Sequence, residues 1–257
     1  MMALDSLNNL NTFPLKNLDS FVVECNLHGI REINITGSNT DPLLYKHLLK
    51  LKLYLKENIP DLIFGIRTNG VLALEKPDDM LLFDKASISV TSFDEELYNK
   101  TMGMGKPPDV KKIIYLMNGK PVKLNVVMCP ETVNTNDILK TLDEAASLGI
   151  QKVNLREPYG QPHIGDPLRR LGNPHKFVYG MPCYHYKGVE VVIWDVHWVE
   201  VESVNLYANG EVSVTYPVTK GHDPVNGKVV PQHNFNFSGR VHEQWLKTRK
   251  TTRHGIS

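Results

Sequence analysis

Between about residues 14 and 160, the sequence alternates segments of helical spacing with short strand-like runs, and this alternation constrains the fold more than any other feature. The strand-like runs are rich in β-branched residues and cover residues 33–36, 64–68, 87–91, 122–128 and 153–155. They begin about 25 to 35 residues apart, which is the length of one strand and its crossover helix. The sequence therefore predicts an α/β fold of parallel strands joined by helices.

Capping residues predict where two of the helices begin. Asp41 followed by Pro42 indicates the start of a helix that continues through Leu55, because proline is tolerated in a first turn. Ser92 with Glu95 has the spacing of a capping box, which predicts that another helix begins there.

The pattern changes after Pro158 and indicates a second part of the chain. Residues 158–184 contain five prolines and several glycines, which predicts an irregular connection. Residues 189–218 alternate as strands do, with Asn209-Gly210 at the position of a hairpin turn, and residues 241–250 have the pattern of a short helix. We therefore predict a β/α part over residues 1–160. Residues 161–257 would supply the irregular connection, a small antiparallel β extension and a C-terminal tail.

Composition and charge give no overall signal for nucleic acid or membrane as a partner. Lys and Arg number 29 against 28 Asp and Glu, so the net charge of +1 gives no global attraction to nucleic acid. No apolar run reaches the roughly 18 residues of a membrane span, and the N-terminus has no signal-peptide pattern, so we expect a cytoplasmic protein. Cys25, Cys129 and Cys183 have no metal-like spacing and predict neither a disulfide framework nor a zinc site.

Small polar residues and glycines follow the predicted strands. Ligands of parallel β/α folds bind at the carboxyl ends of the strands, where loops vary on a fixed scaffold. The candidate positions are residues 36–41, 68–70 and 91–92, Asn125, and residues 156–157. The same residue types also cap helices and form turns, so a ligand site and simple turn chemistry both remain open.

Residues 33–44, 67–70, 87–94 and 123–127 form four segments whose order and spacing carry a family resemblance. They resemble the core of radical S-adenosylmethionine (radical SAM) enzymes, in the branch that includes the molybdopterin-biosynthesis cyclase. Residues 33–44 resemble the strand and Gly-Gly-Glu-Pro-Leu type motif that binds the methionine end of the cofactor, although Ser38-Asn39-Thr40-Asp41 replaces its second glycine and glutamate. Residues 67–70 resemble the family's Thr-Asn-Gly, residues 87–94 its Ser-Leu-Asp segment, and residues 123–127 its next strand, with a ligand-facing asparagine.

The resemblance implies a partial (β/α) barrel that is TIM-like, lacks its first strand and binds S-adenosylmethionine. The activity it implies is reductive cleavage of this cofactor to a 5′-deoxyadenosyl radical, which abstracts hydrogen from an unidentified small molecule or peptide. No catalytic residue is assigned. The cofactor-binding residues that the resemblance implies are Gly37, Ser38, Asn39 and Asp41 near the methionine moiety, with Asn69, Ser89, Asn125 and Arg156 lining the rest of the pocket.

One family feature is not matched: the Cys-x3-Cys-x2-Cys loop that holds the [4Fe–4S] cluster. The resemblance therefore implies a truncated product, a degenerate relative, or one half of a split enzyme whose cluster lies on a separate polypeptide. An alternative is a catalytically inactive barrel that acts as a partner or regulatory subunit. A third interpretation, an unrelated barrel enzyme of phosphate or aldol type, lacks a convincing lysine or carboxylate pair at a strand end.

Histidines in the C-terminal third raise the question of a metal site. They are His185, His197, His222, His233 and His242, with Cys183 nearby in sequence. Their spacing matches no standard metal site, so we predict that they face solvent and bind no metal.

Overall fold

A computed structural model describes residues 9–37, 40–103, 105–129, 131, 135–157, 167–178, 180–194 and 203–214. These residues contain an eight-stranded sheet and a separate two-stranded hairpin. The larger sheet has the spatial order β1-β2-β3-β4-β5-β8-β7-β6, with β1 and β6 at its edges.

The first five strands are parallel, and the last three extend the same sheet. The parallel strands are β1 (Glu32–Thr36), β2 (Ile63–Thr68), β3 (Lys85–Val90), β4 (Val122–Val127) and β5 (Lys152–Arg156). They are followed by β6 (Lys176–Val178), β7 (Met181–Tyr186) and β8 (Val189–Trp194). Strand β8 pairs with β5 in parallel, whereas β7 pairs antiparallel with both β8 and β6. The mostly parallel sheet confirms the α/β prediction; closure into a barrel and the division near residue 160 stay predictions.

Along the chain, one helix precedes β1 and the others lie between successive parallel strands. They are α1 (Leu18–Leu27), α2 (Leu48–Asn58), α3 (Pro77–Leu81), α4 (Glu95–Met102), α5 (Val110–Leu116) and α6 (Thr135–Ser147). Short 3-10 turns cover Pro42–Leu44 and Arg169–Leu171. The helices bury leucine, isoleucine and valine side chains in one continuous core with one face of the sheet. Burial of this apolar surface is the main favourable term that holds sheet and helices together.

The core contains a fully buried aromatic pair. The rings of Phe64 on β2 and Phe83 just before β3 are stacked, with centroids 4.9 Å apart and planes 11° from parallel, and neither side chain is exposed. Such pairs add to the burial term when their rings are offset.

The predicted helix from Asp41 to Leu55 is wrong in one respect, because the chain leaves the helical conformation at Tyr45. Asp41 caps only the short 3-10 turn, and α2 begins at Leu48. Tyr45 is extended, its hydroxyl donates to the Thr12 carbonyl oxygen at 2.8 Å, and the backbone N–H of the next residue donates to Leu10. These contacts with the N-terminal segment take the place of intrahelical bonds, which helical spacing alone could not reveal.

Two other local predictions need correction. The cap of α4 is Asp94, whose Oδ1 accepts from the Leu97 N–H at 2.9 Å, whereas the Ser92 hydroxyl accepts from the Asp94 N–H in the preceding turn. The segment 158–184, predicted as irregular, contains β6 and the start of β7, with Pro182 inside β7. Its proline content concealed the strand pairing.

The hairpin predicted at Asn209-Gly210 is confirmed. It joins β9 (Asn205–Leu206) to β10 (Val212–Ser213), and Gly210 has the positive φ of 83° that such a turn requires. The helix predicted for residues 241–250 lies outside the described residues, as do His197, His222, His233 and His242.

Candidate functional site

The two faces of the large sheet differ in chemistry. The face packed on the helices carries buried apolar residues such as Ile66, Ile88 and Leu124. The opposite face, called the polar face below, carries Asn34, Arg67, Lys85, Ser87, Ser89, Lys123, Asn125, Lys152, Asn154, Arg156 and Glu190. These assignments follow from strand register, because paired residues of neighbouring strands point to the same side.

Contacts on the polar face confirm the register. A Cβ atom added at Gly65 would lie 2.3 Å from the Asn34 Oδ1 atom and 3.1 Å from the Lys85 Cε atom. The side chains of the two flanking strands, β1 and β3, therefore converge above Gly65 of β2, where the absence of a side chain leaves room for them.

A chain of hydrogen bonds crosses the middle of the polar face. The Asn125 amide donates to the Ser87 hydroxyl at 2.5 Å, and the Asn154 amide donates to Asn125 Oδ1 at 3.2 Å. All three residues are buried, with Asn125 only 1% exposed. Asn154 Oδ1 is buried and has no hydrogen-bond partner among the described residues. A buried polar atom left unpaired costs about 1–3 kcal/mol, so this oxygen is suited to accept from a bound ligand.

Cationic side chains surround this chain of hydrogen bonds. Lys85 forms an ion pair with Glu32, and Lys152 Nζ lies 3.2 Å from Glu190 Oε1. Lys123 has no carboxylate within ion-pair distance among the residues that the structure describes. Burial lowers the pKa of Lys123 from 10.5 to about 8, and the neighbouring charges of Arg67, Lys85 and Lys152 lower it further in the same direction. The polar face therefore holds a half-buried amine that loses its proton at mildly alkaline pH.

The turn after β1 is shaped by Gly37 and Asp41. A Cβ atom at Gly37 would lie 1.7 Å from the Thr40 carbonyl oxygen, so only glycine fits this turn. Asp41 Oδ1 accepts from the Leu43 N–H at 2.9 Å, and its Oδ2 accepts from the Thr68 hydroxyl. The Asp41 carboxylate thus ties the turn after β1 to the end of β2, and both of its oxygens are engaged within the protein.

The turn after β2 is also held by its own side chains. Asn69 Oδ1 accepts from the Val71 N–H at 3.0 Å, and the Thr68 hydroxyl accepts from the Gly70 N–H at 2.9 Å. Gly70 has a φ of 80°, a conformation that favours glycine. Turn formation accounts for these contacts. Turn chemistry is the alternative to a ligand site that the sequence leaves open for these residues.

The sequence-predicted residues thus fall into three groups. Ser89, Asn125 and Arg156 share the polar face, whereas Gly37, Asp41 and Asn69 build the turns at its carboxyl edge. Ser38 and Asn39 lie outside the described residues.

Sequence reasoning did not include Ser87, Lys123 and Asn154 among the site residues. The signal that could have found them is the two-residue period of polar positions, which pairs Ser87 with Ser89 and Lys123 with Asn125 on the same face of a strand.

The cysteines do not form a cluster site. Cys25 and Cys183 are both buried, and burial raises the pKa of each thiol to about 11. Among the described residues, which include all three cysteines, the side chains placed to share a metal ion are His175, His185 and Glu190, and no cysteine is among them. A [4Fe–4S] cluster needs several converging thiolates, so the residues present do not fit that group.

No family model matches the chain, and no curated protein matches it. Among solved structures, the chain is similar to Streptococcus suis SuiB, with 18% identity and a TM-score of 0.47 over 60% of this chain and 38% of that one. The structure of SuiB bound to the precursor peptide SuiA has 18% identity and a TM-score of 0.45, over 55% of this chain and 32% of that one. The structure of SuiB bound to S-adenosylmethionine has 17% identity and a TM-score of 0.45, over 55% of this chain and 33% of that one.

The chain therefore spans about a third of the length of the SuiB structures. A likeness at this identity and TM-score does not establish a shared function. Within the described part of the chain, no helix is long and apolar enough to cross a membrane.

Proposed function

We propose that this chain is a radical SAM-type protein that binds S-adenosylmethionine against the polar face of its sheet. The observation that carries the proposal is the buried chain of hydrogen bonds through Ser87, Asn125 and Asn154. It lies beside Ser89 and Arg156, in the segments whose order and spacing resemble the cofactor-binding core of that family.

The chemistry of the polar face suits this ligand. The adenine amino group and the ribose hydroxyls of S-adenosylmethionine are hydrogen-bond donors, and Asn154 Oδ1 is a buried acceptor without a described partner. The amides and hydroxyls of this face are fixed by strand pairing and by each other, so binding requires little ordering of side chains. Gly37 and Asp41 hold the adjoining turn in place at the carboxyl end of β1.

The proposal for this chain stops at binding of the cofactor. In radical SAM enzymes, S-adenosylmethionine supplies the 5′-deoxyadenosyl radical when a [4Fe–4S] cluster reduces it. The described cysteines do not fit such a cluster, so hydrogen abstraction from a small molecule or peptide would need a cluster-binding segment that these residues do not supply, for example one on a separate cluster-bearing polypeptide.

Binding of S-adenosylmethionine to the purified chain, measured by isothermal titration calorimetry, tests the proposal. Ser89 is half-buried beside Asn125, and its hydroxyl makes no hydrogen bond with a described residue, so Ser89→Leu fills the face without breaking the hydrogen-bonded chain. We expect this variant to bind at least about tenfold more weakly, which corresponds to about 1.4 kcal/mol. Ser147→Leu, at an exposed position at the end of α6, is the matched control and should bind as the unmodified chain does.

Two results would count against the proposal. If the unmodified chain binds no S-adenosylmethionine, the alternative of an inactive barrel that serves as a partner or regulatory subunit is favoured. If Ser89→Leu and Ser147→Leu bind equally well, the cofactor lies elsewhere.

Anaerobic reconstitution with iron and sulfide should give no cluster absorbance for the chain alone.

A further inference from the structure

Three side chains that can bind a metal come together at the antiparallel edge of the sheet. His185 on β7 and Glu190 on β8 are directly paired across the two strands. His175 precedes β6, and its backbone N–H donates to the Cys183 carbonyl oxygen of β7 at 2.9 Å. The two imidazole rings have centroids 3.9 Å apart at an angle of 73°. One ligand atom from each of His175, His185 and Glu190 lies within 4.8 Å of the others.

We propose that His175, His185 and Glu190 bind a Zn²⁺ ion and thereby link β6, β7 and β8. Two imidazoles and one carboxylate are a donor set that Zn²⁺ accepts in tetrahedral geometry, with a fourth position left for water. Bonds of about 2.0–2.2 Å place tetrahedral ligand atoms about 3.4 Å apart. The three side chains therefore need only small rotations to close on an ion, and both histidines are exposed enough to make them.

The backbone supports this site because strand pairing fixes two of its residues. The pairing of β7 with β8 holds His185 opposite Glu190, and the hydrogen bond from His175 to Cys183 anchors the third ligand beside them. Sites built on strands hold their ligands more precisely than sites built on loops. His175 and His185 are ten residues apart and Glu190 follows five residues later. This spacing matches no standard zinc motif, because the sheet and not the local sequence brings the ligands together.

Two lysines compete with the metal for Glu190. Lys176 Nζ contacts Glu190 Oε2, and Lys152 Nζ lies 3.2 Å from Oε1. Zn²⁺ must displace at least one of these contacts, and it experiences repulsion from both ammonium groups. The site should therefore bind more weakly than a closed structural zinc site. Removal of Lys176 should strengthen it, because one carboxylate oxygen becomes free and one repelling charge is lost.

Competition of the full, metal-free chain with a chromophoric chelator for Zn²⁺ tests the proposal. We expect one site on the unmodified chain and at least about tenfold weaker binding by His185→Gln and by His175→Gln, since loss of even a supporting residue of a metal site costs about 10–100-fold. His28→Gln changes an exposed histidine outside the group and should leave binding unchanged. Circular dichroism checks that each variant is folded.

Lys176→Met keeps the test decisive even if a histidine variant were to unfold. Tighter Zn²⁺ binding by this variant cannot result from loss of structure and would support Glu190 as a ligand. Unchanged or weaker binding by Lys176→Met would overturn that assignment. Equal affinity of His185→Gln and the unmodified chain would overturn the site as a whole and would place any bound zinc on other residues.

Discussion

Replacement of Lys123 by methionine is predicted to stabilise the protein at neutral pH, although it removes a charge from the polar face. Lys123 is half-buried, and burial is the largest reason that its pKa falls from 10.5 to about 8 in the folded protein. Each unit of pKa corresponds to about 1.4 kcal/mol, so carrying this charge costs the folded state about 3 kcal/mol relative to the unfolded chain. Methionine has similar length and no charge, so it avoids this cost.

The pH dependence has a definite sign. Below pH 8 the folded protein must carry the charge, and the full penalty is present. As the pH rises from about 8 to about 10.5, the folded protein releases this proton while the unfolded chain keeps it. The unfolded state then binds more protons, so the Lys123 penalty fades with rising pH. Above pH 10.5 the amine is neutral in both states, and the penalty is gone.

Urea unfolding at pH 6.5, 8 and 10.5 measures this effect. We expect Lys123→Met to exceed the unmodified chain by about 2–3 kcal/mol in free energy of unfolding at pH 6.5, with a difference that shrinks toward pH 10.5. Because burial is the largest cause, most of the difference should persist in high salt, which screens only the repulsion from neighbouring charges. Lys50→Met, at an exposed position of α2, should show neither effect. A destabilised Lys123→Met at pH 6.5, or a difference independent of pH, would refute the reasoning.

Three further predictions concern the turn at Gly37, the cap of α4 and the buried hydrogen bonds of the polar face. Gly37→Ala should lower the thermal midpoint of unfolding more than Gly65→Ala does. A Cβ atom at Gly37 would meet the backbone carbonyl oxygen of Thr40 at 1.7 Å, whereas one at Gly65 would meet the movable side-chain oxygen of Asn34 at 2.3 Å. The reverse order would contradict the turn geometry. Asp94→Ala should lower the free energy of unfolding by about 1 kcal/mol through loss of the α4 cap, and a larger effect of Ser92→Ala would show that the capping-box prediction was right after all. Asn125→Val should cost about 1–3 kcal/mol in urea unfolding because it leaves buried partners unpaired, and an unchanged stability would argue against the buried chain of hydrogen bonds.

The parallel strands were predictable because each has a local signature. Ile88 and Leu124 face the helices with other apolar side chains, and such β-branched and aliphatic runs between turn residues indicate strands without knowledge of the fold. The predicted boundaries differ from the observed ones by one or two residues, since strand ends depend on the partner strand. The helix predicted from Asp41 failed for a different reason: Tyr45 is held by the Thr12 carbonyl oxygen, 33 residues away in sequence.

The candidate site was only partly predictable. Asn125 was identified from its place in a strand, but its partners Ser87 and Asn154 lie 38 and 29 residues away, and only the strand register brings them into contact. Asp41 and Asn69 were chosen because they follow predicted strands and match the resemblance, but residues that form turns and residues that bind ligands are chemically alike at such positions. The structure shows the hydrogen bonds that these two side chains make within their own turns.

The sequence by itself determined the succession of strands and helices, the turn at Gly37 and the hairpin at Asn209-Gly210. Periodicity and turn chemistry act over a few neighbouring residues, so local patterns are enough to indicate these features. Tertiary structure decided which side chains share the polar face, why Lys123 has a lowered pKa, and how His185 comes to lie opposite Glu190. These properties depend on burial and on strand register. Both are set by pairing between distant segments, which no local pattern encodes.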